Sequence, residues 1–138
     1  MNVEDLLDKF GLRPSAESLP AIRNLLGEHA EKERREQGTG DTELMKLCCV
    51  QLFANGDVSD SLRIWKAKSS SMDADASIDV QLLCGGGLRE TKVYLKQHPA
   101  PEAADALVRI EACEAGGDFD GFSVEGTLAF YEDYYAEE

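Results

Sequence analysis

Residues 77–96 read SIDVQLLCGGGLRETKVYLK, with no charge between Asp79 and Arg89. An apolar run of this kind cannot face water on any side of a helix, so other elements must cover it. The glycines at 85–87 permit a tight reversal or a close approach of two backbones. After them, Leu88, Thr91 and Leu95 fall on one helical face and Arg89, Lys92 and Lys96 on another. The stretch therefore predicts a helical hairpin, with a buried first arm over 78–84 and an amphipathic second arm. Its spelling recurs upstream: VQL at 50–52 followed by LRIWK at 62–66 matches VQL at 80–82 followed by LRETK at 88–92.

Working outward, the segment 44–54, LMKLCCVQLFA, holds Lys46 as its single charge and predicts a central, surrounded helix between a capping Asp41 and the stop Asn55-Gly56. Upstream, residues 3–10 form a short amphipathic helix with Leu6, Leu7 and Phe10 inward. Ser15 or Ser18 can cap the next helix, and Pro20, tolerated only in a first turn, argues for Ser18. That helix runs into EHAEKERREQ at 28–37, charged all round, which predicts a solvated extension fraying near Gly38. Asp57 caps a helix through Lys68 that turns Leu62 and Trp65 inward and Arg63, Lys66 and Lys68 to water. Ser69–Ser71 and MDADA make a loop. Pro101 opens a helix closed by Gly116-Gly117, and Ser123 caps the last, with Leu128, Phe130, Tyr131 and Tyr134 as its bulk. Gln51 and Gln81, polar residues in apolar runs, need partners and are expected to bridge to neighbouring helices or backbone.

Buried first arms near Leu44, Ile78 and Ala104 recur at a spacing of about 30 residues, the period of stacked helical-hairpin repeats. The expected fold is all-α, a stacked array of antiparallel hairpins of the HEAT or TPR kind over a single domain spanning 1–138, with an irregular helical bundle as the alternative. A length of 138 residues at 43% hydrophobic content suits one core. No run approaches the roughly 20 apolar residues that cross a bilayer, and the acidic start MNVEDLLDKF is unlike a signal peptide. These features predict a soluble cytoplasmic protein that engages no membrane.

The formal net charge is -13, spread unevenly: residues 1–70 carry 12 acids and 10 bases, residues 71–138 carry 15 acids and 4 bases. Such a field repels phosphate backbones and draws in cationic partners, so nucleic acid is disfavoured and a basic protein favoured. Catalytic patterns are absent. His29 and His98 sit beside no cysteine, serine or carboxylate pair in a recognisable motif. Cys84, next to the glycines, is the most suggestive nucleophile, yet Cys48, Cys49 and Cys113 occupy comparable apolar positions, which points to packing. Asp73, Asp75 and Ser77 have the alternate spacing of calcium-loop ligands, but Ile78 stands where glycine is needed and Cys84 where a glutamate belongs, so neither metal nor cofactor is expected.

The suggestive surface is C-terminal, where Asp118, Asp120, Tyr131, Asp133 and Tyr134 interleave aromatic anchors with carboxylates. Trp65 and Arg89, on the second arms of the two related units, are the other candidate partner-binding residues, near a ridge that Arg63, Lys66 and Lys92 extend. A small, acidic, helical-hairpin chain of this kind resembles the immunity proteins that bacteria use to block toxins. The resemblance is one of size, charge and architecture, carried by no motif, and implies one-to-one binding of a cognate toxin. A small enzyme using Cys84 or the acidic loop 73–79, and a self-assembling scaffold subunit, are the alternatives from other classes.

Overall fold

The computed structural model describes residues 1–136. Eight α-helices make up the regular structure among them, with two 3-10 turns and no strand: α1 (Val3–Phe10), α2 (Leu19–Arg35), α3 (Thr42–Asn55), α4 (Asp60–Lys68), α5 (Met72–Ser77), α6 (Leu88–Gln97), α7 (Pro101–Ala115) and α8 (Val124–Ala136). The fold is all-α, and none of these helices is long and apolar enough to cross a membrane.

Helix α3 organises the rest. The Asp41 carboxylate accepts the Leu44 N–H at 3.0 Å to start it. Gly56, at φ +79°, ends it by donating to the carbonyls of Leu52 and Phe53. Between these caps, Leu44, Met45 and every residue from Leu47 to Phe53 are buried. A helix apolar on all sides needs neighbours on all sides. Accordingly α3 packs against α1, α2, α4, α5, α8 and the turn Val80–Cys84. The elements close round this hub, and α4 also meets α7, so the arrangement is the irregular bundle, with α2/α3 and α6/α7 as antiparallel hairpins within it. The buried apolar residues form one cluster.

Three local readings are corrected. The arm expected to be helical over 78–84 is a 3-10 turn, Val80–Cys84, because Ile78 and Asp79 are extended and leave too short a run for α-helix before the glycines. It is nonetheless buried at Val80, Leu82, Leu83 and Cys84. The expected loop at MDADA is α5, begun by the Ser71 hydroxyl accepting from Ala74 N–H at 3.0 Å. Neither Ser15 nor Ser18 caps α2; their hydroxyls lie 3.0 Å apart, and a 3-10 turn, Ala16–Ser18, leads in.

The glycine triplet works by close approach. A Cβ on Gly85 would lie 2.6 Å from the Phe53 carbonyl oxygen and 2.8 Å from its Cα, so only glycine lets this turn press on the end of α3.

Glu33, Arg34 and Lys68, read as solvent-facing, prove to be structural, and Asp60 is buried with them. Glu33 is 1% exposed: one carboxylate oxygen accepts from the Gly38 and Gly40 N–H groups at 2.7 and 3.0 Å, the other from the Ser71 hydroxyl at 2.5 Å. Arg34 donates to the Lys66 carbonyl at 2.9 Å, so the end of α2 is tied down rather than projecting. Lys68 is buried, its ammonium donating to the carbonyls of Asp75 and Ile78 and pairing with the Asp75 carboxylate at 3.0 Å. Asp60 is buried under a two-point contact from Arg23 at 2.9 Å and a third bond from Arg63 at 3.0 Å. These pairings span three helix interfaces, which fits the rule that buried charge is held by a partner.

Candidate functional site

The C-terminal third leaves an open groove of about 540 Å³ between the Val80–Cys84 turn, the loop 118–123 and α8. Its walls follow from three anchors. Leu128, Tyr131 and Tyr135, spaced three and four apart, are the buried stripe of α8, which packs against α3. Phe119 is buried and meets Phe122 edge-on at 5.3 Å, while Phe122 meets Phe53 at 6.5 Å, so the loop is pinned by its rings. Gly117 and Gly121, at φ +97° and +70°, bend the chain on either side of it. Gln81 then donates to the Asp118 carbonyl at 2.8 Å and fastens loop to turn. Gln51 acts similarly, donating to the Gly11 carbonyl at 2.8 Å, so both glutamines bind neighbouring backbone as expected.

With its rings inward, the loop turns its carboxylates outward. Asp118 and Asp120 are exposed at the groove and Asp79 lines it from the other wall. No lysine or arginine is among the lining residues. The Tyr131 hydroxyl donates to the Asp79 carboxylate. Burial first, then this bond and the charge of Asp79, push the phenol well above its usual range, so it remains a donor across physiological pH. Phe130, 61% exposed, stands at the rim. Three carboxylates beside exposed aromatic surface can hold a cation and shelter its apolar stem.

The structure thus brings together three of the sequence candidates, Asp118, Asp120 and Tyr131, though Tyr131 is a buried wall, 2% exposed, rather than a free anchor. Asp133 is exposed on α8 one turn beyond Phe130. Tyr134 is 41% exposed, with the Lys46 ammonium 4.8 Å over its ring. Trp65 belongs to the core: it is buried, with the Arg109 guanidinium 5.4 Å from its ring, and Arg109 in turn donates to Asp75 at 2.9 Å. Arg89 is exposed in a separate groove between α6 and α7. Phe130, one of the aromatics the sequence placed on the C-terminal surface, does line the groove, and Asp79 and Gln81 are the site residues missed. The apolar stripe 128/131/135 was a signal that would have turned Phe130 outward; nothing in the sequence joins Asp79 to Tyr131, 52 positions away.

Cys84 is fully buried, and burial pushes its thiol up to about 12, so the thiolate a nucleophile requires is negligible near neutrality. Cys48 is likewise pushed to about 12 by burial. In the acidic segment 73–79, burial raises the Asp75 carboxyl, but the bonds from Arg109 and Lys68 outweigh it and leave the group ionised and engaged. Among the described residues no three histidines, cysteines or carboxylates gather as metal ligands would. Comparison with protein families, curated proteins and solved structures finds no match for this chain.

Proposed function

We propose that the chain is a non-enzymatic protein-binding module that takes a basic segment of its partner into the acidic groove. The observation that carries this reading is the lining itself: Asp79, Asp118 and Asp120 line one groove with no lysine or arginine among its lining residues, and Phe122 and Phe130 supply apolar contact. A lysine or arginine entering it would find charge-assisted acceptors and a surface for its methylene stem. The net charge of -13 supports the same reading, since it speeds encounter with a basic protein. An immunity-type role, in which the partner is a basic toxin neutralised by occlusion, is the form of binding we favour.

The test uses the full chain as bait in lysate of its own host, beside an Asp118→Lys/Asp120→Lys variant and a control reversed at an exposed acid outside the groove lining, Asp8→Lys. The expected result is a basic protein retained by wild type and by the control, lost by the groove variant, and less toxic when co-expressed with the wild-type chain. Equal capture by all three removes the groove from the binding face. Capture without neutralisation removes the immunity role and leaves the binding module.

A further inference from the structure

We infer that the hairpin α6/α7 is a docking face for a second copy of this chain, an inference independent of the acidic groove. Residues 71–138 contain four bases, and three of them, Arg89, Lys92 and Lys96, line one side of a second groove of about 430 Å³. The fourth, Arg109, is taken up by Asp75 and Trp65. The other side, on α7, carries Glu111 and Glu114. Between the two strips lie Leu88, Val93 and Leu107, with Val93 48% exposed and Val108, the neighbour of Leu107, 67% exposed. In a half of the molecule that is otherwise acidic, this patch alone sets a cationic strip beside an anionic one across apolar ground.

The charges are self-complementary in register. The hairpin is antiparallel, and the Lys92–Glu114 pair at 2.7 Å fixes which positions share a level. One helical turn further along α6 is Lys96, level with Glu111, one turn back along α7. A two-fold axis along the groove lays α6 of one copy over α7 of the other at the same level. Lys96 of each copy then meets Glu111 of its mate, and the valines and leucines meet across the axis. Such reciprocity defines an isologous interface. A foreign partner needs to match only one strip; a second copy matches both. Helix α6 has ten residues, about 15 Å of length, so the face is small by the standard of stable dimers and the association is weak.

Analytical ultracentrifugation of the full chain from micromolar to millimolar concentration tests this, with circular dichroism confirming that each variant is folded. Wild type is expected to dimerise reversibly. Lys96→Glu and Glu111→Lys, both exposed positions, are each expected to raise the dissociation constant about tenfold, and the double reversal to restore it. Val93→Glu, also on the surface, is expected to abolish the dimer. A chain that stays monomeric throughout overturns the inference and leaves the strip to an acidic partner. A dimer indifferent to all four variants overturns it too, because association then uses another face.

Discussion

Replacing Glu33 by alanine and by glutamine separates a buried structural charge from a solvated one. The side chain closes the loop 38–40 onto α2 and holds Ser71, which itself starts α5, so one carboxylate supports two turns and a helix. Alanine strips the acceptor from two backbone N–H groups and a hydroxyl in a site with little room, since the Gly40 Cβ position is only 2.5 Å from the His29 carbonyl. Hydrogen bonds to a charged group contribute about 1.5–3 kcal/mol each, and part of that returns when water reaches the loop, so the expected loss is about 3–4 kcal/mol. Glutamine keeps the oxygen that serves both glycines and loses only the charge and the Ser71 donation, at a cost of about 1 kcal/mol. The Ser71 bond foremost, with the two glycine bonds, outweighs burial and holds the Glu33 carboxyl below its ordinary value of 4.5. A depressed carboxyl stabilises above its unfolded value, and this contribution is lost as pH falls through the folded one. Urea unfolding of the three proteins at neutral pH and in steps into acid is the assay. The wild-type and glutamine curves should converge in acid. An alanine variant within about 0.5 kcal/mol of wild type at neutral pH, or glutamine and wild-type curves that stay parallel throughout, would refute the reasoning.

Gly85→Ala places its Cβ against the Phe53 backbone, 2.6 Å from the carbonyl oxygen, and is expected to cost about 2–3 kcal/mol, whereas Gly27→Ala, in helix α2 with nothing within 4 Å, should gain about 0.5–1 kcal/mol; chemical denaturation reads both, and equal effects would refute the close approach. Alkylation followed by peptide mapping should label only Cys113, the one half-buried thiol, and slowly, because burial and then Asp118 raise its pKa; rapid native labelling of Cys84 would reopen a catalytic reading.

What was legible was local. Helix α3 could be read because one charge in eleven residues leaves no wet side, and because its caps, Asp41 and Gly56, adjoin it in sequence. The same logic fails for the second VQL. At 50–52 the letters lie inside a fourteen-residue helix, whereas at 80–82 they are caught between two extended residues and a glycine turn pressed on Phe53, and they settle as a 3-10 turn. Spelling was shared and context was not. The buried charges were beyond reach for a related reason: Glu33 meets Ser71 and Arg23 meets Asp60 at separations of 38 and 37 residues. A run such as EHAEKERREQ looks solvated until its partner is known. Tyr131, expected on a binding surface, instead has its ring in the core and its hydroxyl in the groove wall, the division an amphipathic ring permits.

The acids that hold the fold together differ from three exposed ones near the C-terminal groove. Asp60, Asp75 and Glu114 are paired with cations across element boundaries, and Glu33 is closed in by N–H and hydroxyl donors; removing any of them leaves a donor or a charge without its partner. Even on α8, Glu132 has Arg13 at 3.6 Å. Asp118, Asp120 and Asp133, by contrast, have no basic side chain within ion-pair distance among the described residues. They lie within one C-terminal stretch that already carries most of the excess negative charge. Mutual repulsion between like charges costs stability, and among the described residues no ion pair offsets it at these three positions. Asp118 and Asp120 are exposed, which is why reversing them can test binding without unfolding the protein. Other exposed acids, Asp73 and Asp105 among them, also have no basic side chain within ion-pair distance among the described residues, so what sets Asp118 and Asp120 apart is their place in the groove on which the proposed function rests.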